Sequence, residues 1–191
     1  MAVLLVALSA FAVMGLGVII YAVVIYNGLV RLRNNIDKNW SNIDVLLKQR
    51  YDELPKLVKV CEGYMRHERQ TLTAITEARA RLNQGQTEEA QLRTQNEISA
   101  AVKSLFVVVE SYPELKADKS FRQLQSRISE LENEIADRRE FFNESVNLYN
   151  TAIEQFPDSL IARPYKFNKR LLWKIEPGHR ADVEIGFKPS V

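Results

Sequence analysis

Two patterns of apolar positions divide the chain. No charged side chain occurs before Arg31, and beyond it apolar residues recur every three or four places as far as Phe156. The opening run, MAVLLVALSAFAVMGLGVIIYAVVIYN, holds about 25 consecutive uncharged residues, which as a helix rise roughly 37 Å, enough to cross the hydrocarbon core of a bilayer with some tilt. The run predicts a membrane anchor over 1–26, with Leu4, Leu5, Phe11, Ile19, Ile20 and Val24 as anchoring side chains. It lacks the basic start and short apolar core of a cleaved signal peptide, and no cysteine near its end marks a lipoprotein processing site, so the anchor is expected to be retained.

The polar remainder reads as long helices. Between Gly28 and Gly178 the only glycines are Gly63 and Gly85, too few to punctuate strands and turns. Ile36, Trp40, Ile43, Leu47, Tyr51, Leu54, Val58, Cys61, Met65, Leu72, Ile75 and Leu82 keep an alternating three-four spacing, which buries one face of a helix. Glu68 falls in a slot of that series and is expected at the stripe's edge or with a partner. Gly85 ends this helix and Thr87 offers an N-cap to the next, followed by Glu88 and Glu89, which suit its dipole. The second helix stops before Pro113, and a third runs from near Asp118 to Phe156. Pro55 stands inside the first helix with no turn residues beside it. The predicted fold is all-α, an N-terminal transmembrane helix followed by an antiparallel bundle of three long helices, or four if the first is broken at Pro55.

Lengths then set an expectation about company. A first helix from Tyr26 to about Leu82 extends roughly 84 Å, the second returns only about 39 Å, and the third runs outward about 58 Å. On that layout the membrane-proximal stripe of Leu29, Ile36, Trp40, Ile43 and Leu47 lacks an intrachain partner, and the far end of the third helix, with Tyr149, Ile153 and Phe156, overshoots the turn at Gly85. Exposed stripes of this length are seldom left to water. These eight residues are therefore predicted to be covered by further copies of the chain. A four-helix layout with a break at Pro55 would hide the stripe instead.

Composition narrows the chemistry. The 26 basic and 24 acidic side chains nearly cancel, so the chain lacks the concentrated basic face that nucleic acid requires, and no nucleic-acid partner is expected. The lone Cys61 excludes an internal disulfide and a cysteine zinc cluster, and falls in the apolar stripe as a small core residue. His67-Glu68 lacks a second histidine at helical spacing because position 71 is Thr71, and His179 stands alone. There is no phosphate loop, no Ser-His-Asp set and no paired carboxylates, so no catalytic residue, metal or cofactor is predicted and the chain is read as a non-enzyme. Arg31, Arg33 and Lys38 flank the anchor on its C-terminal side. By the positive-inside rule the N-terminus then lies outside and the bulk of the chain in the cytoplasm, as in a single-pass protein of the cell's inner membrane. The segment 158–191 carries three of the six prolines, with a fourth, Pro157, immediately before it, and loses the helical period. Its Lys166, Lys169, Arg170, Trp173 and Lys174 suit an anionic membrane surface, or else the segment packs on the bundle or on another subunit.

The segment YNGLVRLRNNIDKNWSNIDVLLKQRYDELPKLV resembles the LemA family, through Tyr26, Asn27, Trp40, Ile43, Asp44, Val45, Leu47, Lys48, Arg50, Pro55, Leu57 and Val58. GYMRHE, the Ala78-Arg79 pair, YPELKA, FRQLQ and FFNESVNLYNTAIEQFP follow in the family's order, so the likeness covers 26–162. It implies a transmembrane helix, a helical bundle over 27–157 and no assigned reaction. Phe142 departs from it, standing where a tyrosine is common. The expected role is a membrane-anchored helical scaffold that self-associates and organises membrane or recruits membrane proteins. The alternative is a regulatory adaptor binding a membrane protease or signalling partner. Membrane lipid, further copies of the chain and a membrane protein are the expected partners.

Overall fold

The computed structural model describes residues 1–65, 68–82 and 87–174. All the described regular structure is helical: α1 Ala2–Glu62, α2 Arg69–Leu82, α3 Glu88–Val109, α4 Pro113–Ala117, α5 Lys119–Glu154 and α6 Ser159–Ala162. The all-α expectation holds. The chain forms two compact units, one of Met1–Val45 with Ile135–Leu172, the other of Leu46–Glu134 with Trp173 and Lys174.

The first helix does not reach Leu82. It ends at Glu62, and the Gly63-Tyr64 turn is closed by the Cys61 carbonyl, which accepts from the N–H groups of Tyr64 at 3.0 Å and Met65 at 2.8 Å. A glycine costs about 1 kcal/mol relative to alanine inside a helix, so Gly63 is a weak point where reversal is cheap. α2 then runs back alongside α1, bringing Arg79 to Tyr51. The second turn, at 83–86 around Gly85, lies outside the described residues.

Pro55 sits within α1, and the chain stays helical on both sides of it. Proline has no N–H, so the carbonyl four residues earlier, that of Tyr51, loses its helical donor. Arg79 replaces it. Its Nε donates to the Tyr51 carbonyl at 3.3 Å, and its guanidinium lies 3.9 Å from the centre of the Tyr51 ring. The alternative layout's break at Pro55 does not occur there; the chain turns eight residues later, and the proline is accommodated by a neighbouring helix.

In the second unit α1, α2, α3 and the start of α5 surround one core. Leu54, Leu57 and Cys61 meet Ile75, Ala78, Val102, Leu105, Phe121 and Ile128, all buried. Thr87 caps α3 as expected, its hydroxyl accepting from the Ala90 N–H at 3.4 Å, with Glu88 and Glu89 in the first turn. Asp118 caps α5 through the Phe121 N–H at 2.9 Å. Glu68 is half-buried and accepts from the Tyr112 hydroxyl at 3.4 Å, so the carboxylate in the stripe found a partner.

In the first unit the later part of α5 runs antiparallel to α1. The Trp40 and Phe142 rings lie 5.6 Å apart, and Ser145, three residues on, meets Asn39 and then Asn35, further back along α1. Because the chain reverses at Gly63, the end of α5 does not run out alone into water. Its length beyond Glu134 covers α1 instead.

Candidate functional site

Leu29, Ile36, Ile43, Arg50 and Leu57 recur every seven residues along α1 and are all at most 2% exposed. Phe121, Ile128, Ile135, Phe142 and Tyr149 repeat the same step along α5 and are likewise buried. The residues expected to wait for further copies of the chain are therefore mostly sealed inside one copy. Leu29, Ile36, Ile43, Leu47, Tyr149 and Ile153 are buried, and Trp40 is half-covered against Phe142. Phe156 alone among the eight is open to solvent, at 80% exposure. The uncovered seam was an artefact of assuming an unbroken first helix, and the turn at Gly63 removes it.

Arg50 is the one charged side chain in that sevenfold series. It is 1% exposed, and it donates from Nη1 to Ser99 Oγ and Glu132 Oε1, both at 2.7 Å, and from Nη2 to Gln95 Oε1. α1, α3 and α5 each contribute to this network, which satisfies the guanidinium within the core. Arg50 was visible in sequence only as part of a family block. Its place midway between Ile43 and Leu57 is the signal that marks it as interior.

The segment beyond α5 is held against the chain. After α6, Lys166 adopts φ 55°, the Lys166 N–H returns to the Arg163 carbonyl at 3.2 Å and the Phe167 N–H to the Ala162 carbonyl at 3.0 Å, a paired closure that ends a helical turn. Phe167 is then buried, 5.7 Å from the Tyr26 ring and with the Arg33 guanidinium 5.5 Å from its own centre. Asn150 grips the main chain of Arg170 on both sides. Its Nδ2 donates to the Arg170 carbonyl and its Oδ1 accepts the Arg170 N–H, each at 2.9 Å. Lys169 pairs with Glu154 at 2.6 Å and Arg170 with Asp37 at 2.6 Å. In the second unit Asn96 repeats the device, accepting from Trp173 Nε1 at 2.9 Å and donating to the Lys174 carbonyl at 2.8 Å.

Of the five residues assigned to lipid contact, Trp173 is thus unavailable, being 2% exposed, and Lys169 and Arg170 are engaged by carboxylates of their own chain. Lys166 and Lys174 remain exposed. Packing on the bundle, one of the two readings of the tail, is what the described part does. His67 and His179 lie outside the described residues.

The residues expected to anchor the chain, Leu4, Leu5, Phe11, Ile19, Ile20 and Val24, are all well exposed on α1, and this is the described helix long and apolar enough to cross a bilayer. A fully exposed apolar helix of this length points to a membrane anchor. Among the described residues no three His, Cys, Asp or Glu side chains gather as a metal site. A shallow recess beside Met65, Leu72, Thr76 and Glu77 holds none of the groups whose protonation is perturbed. Burial pushes the Cys61 thiol up to about 12, so it stays neutral and a poor nucleophile at physiological pH.

Residues 39–187 match the LemA family. The chain belongs to the LemA family. The matched region begins after the apolar run and takes in the segment beyond 157, so the family unit includes both asparagine-held stretches of chain. A relative described as Protein LemA, from Metamycoplasma hominis, is 29% identical over 162 residues, 83% of this chain and 73% of its own length. The magnetosome protein MamQ of Magnetospirillum gryphiswaldense is 22% identical over 163 residues, 72% of this chain and 60% of its own. Neither the family's description nor the relatives' names specify a reaction. Together with the exposed apolar helix, LemA family membership describes a membrane-associated protein of unassigned specific function.

Proposed function

We propose that this LemA family protein is a membrane-anchored helical scaffold that organises membrane or recruits membrane proteins at the inner membrane, with its C-terminal bulk in the cytoplasm. One observation carries the reading: an exposed apolar helix continues without a break, as α1, into a helical body with a closed core and no assembled reactive site among its described residues. Such a body works through its outside. Phe141 and Leu148, 56% and 54% exposed and seven residues apart on α5, suit a lengthwise contact with a helix of a second copy.

Native mass spectrometry of the full chain in lipid nanodiscs tests this. Oligomers that dissociate when Phe141 and Leu148 are both changed to serine support a self-associating scaffold. Monomers at every protein concentration tested overturn self-association. The closed seam favours a second reading, an adaptor for a membrane protease or signalling partner, because a chain that buries its own stripe needs no copy to fold. That reading predicts a stable complex with a different membrane protein, and recovery of the chain alone after crosslinking in native membranes counts against it.

A further inference from the structure

Phe156, Leu160 and Tyr165 are exposed by 80%, 63% and 63%, and all three fall on the short elbow that joins the end of α5 to the returning chain. Nothing in a water-facing elbow explains three large apolar side chains within ten residues. Its position does. The Tyr165 ring packs edge-on against that of Tyr26, with centroids 5.0 Å apart, and Asp158 shares a shallow recess with Val24, Ile25, Gly28, Arg31 and Asn35. The elbow therefore lies level with the stretch of α1 where the apolar run gives way to its first charge, Arg31. A hydrocarbon core about 30 Å thick takes roughly 20 helical residues, so a span beginning a few residues into α1 leaves the bilayer at this stretch. The tyrosines Tyr26 and Tyr165 are residues of the kind enriched at that depth.

We infer that the α5–α6 elbow is a second membrane contact, a foot that seats Phe156, Leu160 and Tyr165 among the lipid headgroups and upper acyl chains. Arg163, between Leu160 and Tyr165, and Lys166, directly after Tyr165, are both exposed and supply positive charge for the lipid phosphates. The surface continues the anchor's own apolar surface, which selects lipid over a soluble protein as its occupant. The site shares Lys166 with the basic series in the tail but is otherwise distinct from it, since Trp173 of that series is buried. The inference rests on the reading of α1 as a membrane anchor, and its test separates the two.

The full chain is reconstituted in phosphatidylcholine vesicles with single cysteines, Leu160→Cys, Val23→Cys or Asp137→Cys, each carrying an environment-sensitive fluorophore. The native Cys61 is buried and stays unlabelled. All three labelled positions are exposed, so labelling leaves the core intact. Asp137 lies nineteen residues before Phe156 on the same helix run, about 28 Å away, and serves as the water-facing control. Lipid spin-labelled high on the acyl chain is expected to quench the probes at 160 and 23 at least twofold more than the probe at 137. Quenching at 23 without quenching at 160 overturns the foot and leaves the anchor standing. Quenching at neither overturns both. A probe at 160 that is shielded from water yet untouched by the lipid quencher shows a protein on this surface, which also overturns the inference.

Discussion

The two units solve one problem, how to close an apolar face, by different means. In the second, four helical segments surround the core and a buried arginine ties three of them together through Ser99, Gln95 and Glu132. In the first, two helices meet along a line, and irregular chain held by an asparagine, by aromatic rings and by ion pairs covers what remains. Helices on all sides exclude water thoroughly enough that even a guanidinium is sealed in with its partners. A two-helix seam cannot, and irregular chain then does the work of a further helix.

The largest way to break that contrast is Arg50→Ala. It leaves Glu132 without its cation and is expected to destabilise the second unit by about 3–5 kcal/mol, read as a lowered midpoint in chemical denaturation of the detergent-solubilised chain. Replacing both partners, as Arg50→Met with Glu132→Leu, is expected to recover most of the loss. If the double variant is as unstable as the single, the charge pair is not what matters at this position.

Asn150→Ala is the matching test in the first unit. Two neutral hydrogen bonds to residue 170 disappear, a local cost of about 1–3 kcal/mol. Amide exchange should quicken at residues 168–172 while the helices of the second unit keep their protection. A uniform loss of protection would show that the two units unfold together.

Arg79→Ala is expected to cost about 1–2 kcal/mol by removing the donor that serves the Tyr51 carbonyl. In a Pro55→Ala background the helix supplies its own donor, so the same change should cost less. A double-mutant cycle with no coupling would mean that Arg79 acts through the Tyr51 ring alone.

The smallest effect is one of pH. The Phe121 N–H chiefly, with Tyr64 and others, holds the Asp118 carboxyl below the ordinary carboxylate range, so its stabilising part is fully present above the unfolded-state value and is lost as pH falls through the depressed one. Asp118→Asn keeps a capping side chain and should flatten that portion of the stability profile. An unchanged acid limb in the variant would place the dependence on other carboxylates.

Much of the fold was legible because a three-four spacing of apolar residues needs only the helix period to be interpreted. Thr87 and Asp118 announce their helix starts, and α3 ends where Pro113 requires. The location of the first turn was not legible. Proline is the stronger helix breaker by propensity, yet Pro55 is served by an arginine twenty-four residues later, which no local rule registers, whereas Gly63 needed only a modest backbone penalty to yield. That single displacement changed the predicted site. With the turn at Gly63, Leu29 to Ile43 acquire α5 as a partner, and six of the eight residues assigned to self-association become core. The asparagine contacts escaped notice because Asn96 and Asn150 look like ordinary polar helix residues until the returning chain is in place.

Asn150 reads only the peptide unit of residue 170, never its side chain. Any amino acid except proline offers the same N–H and C=O there, so this contact leaves the side chain of residue 170 free for a second task, which Arg170 performs by pairing with Asp37. Main chain and side chain of one residue are thus secured separately, by two different helices.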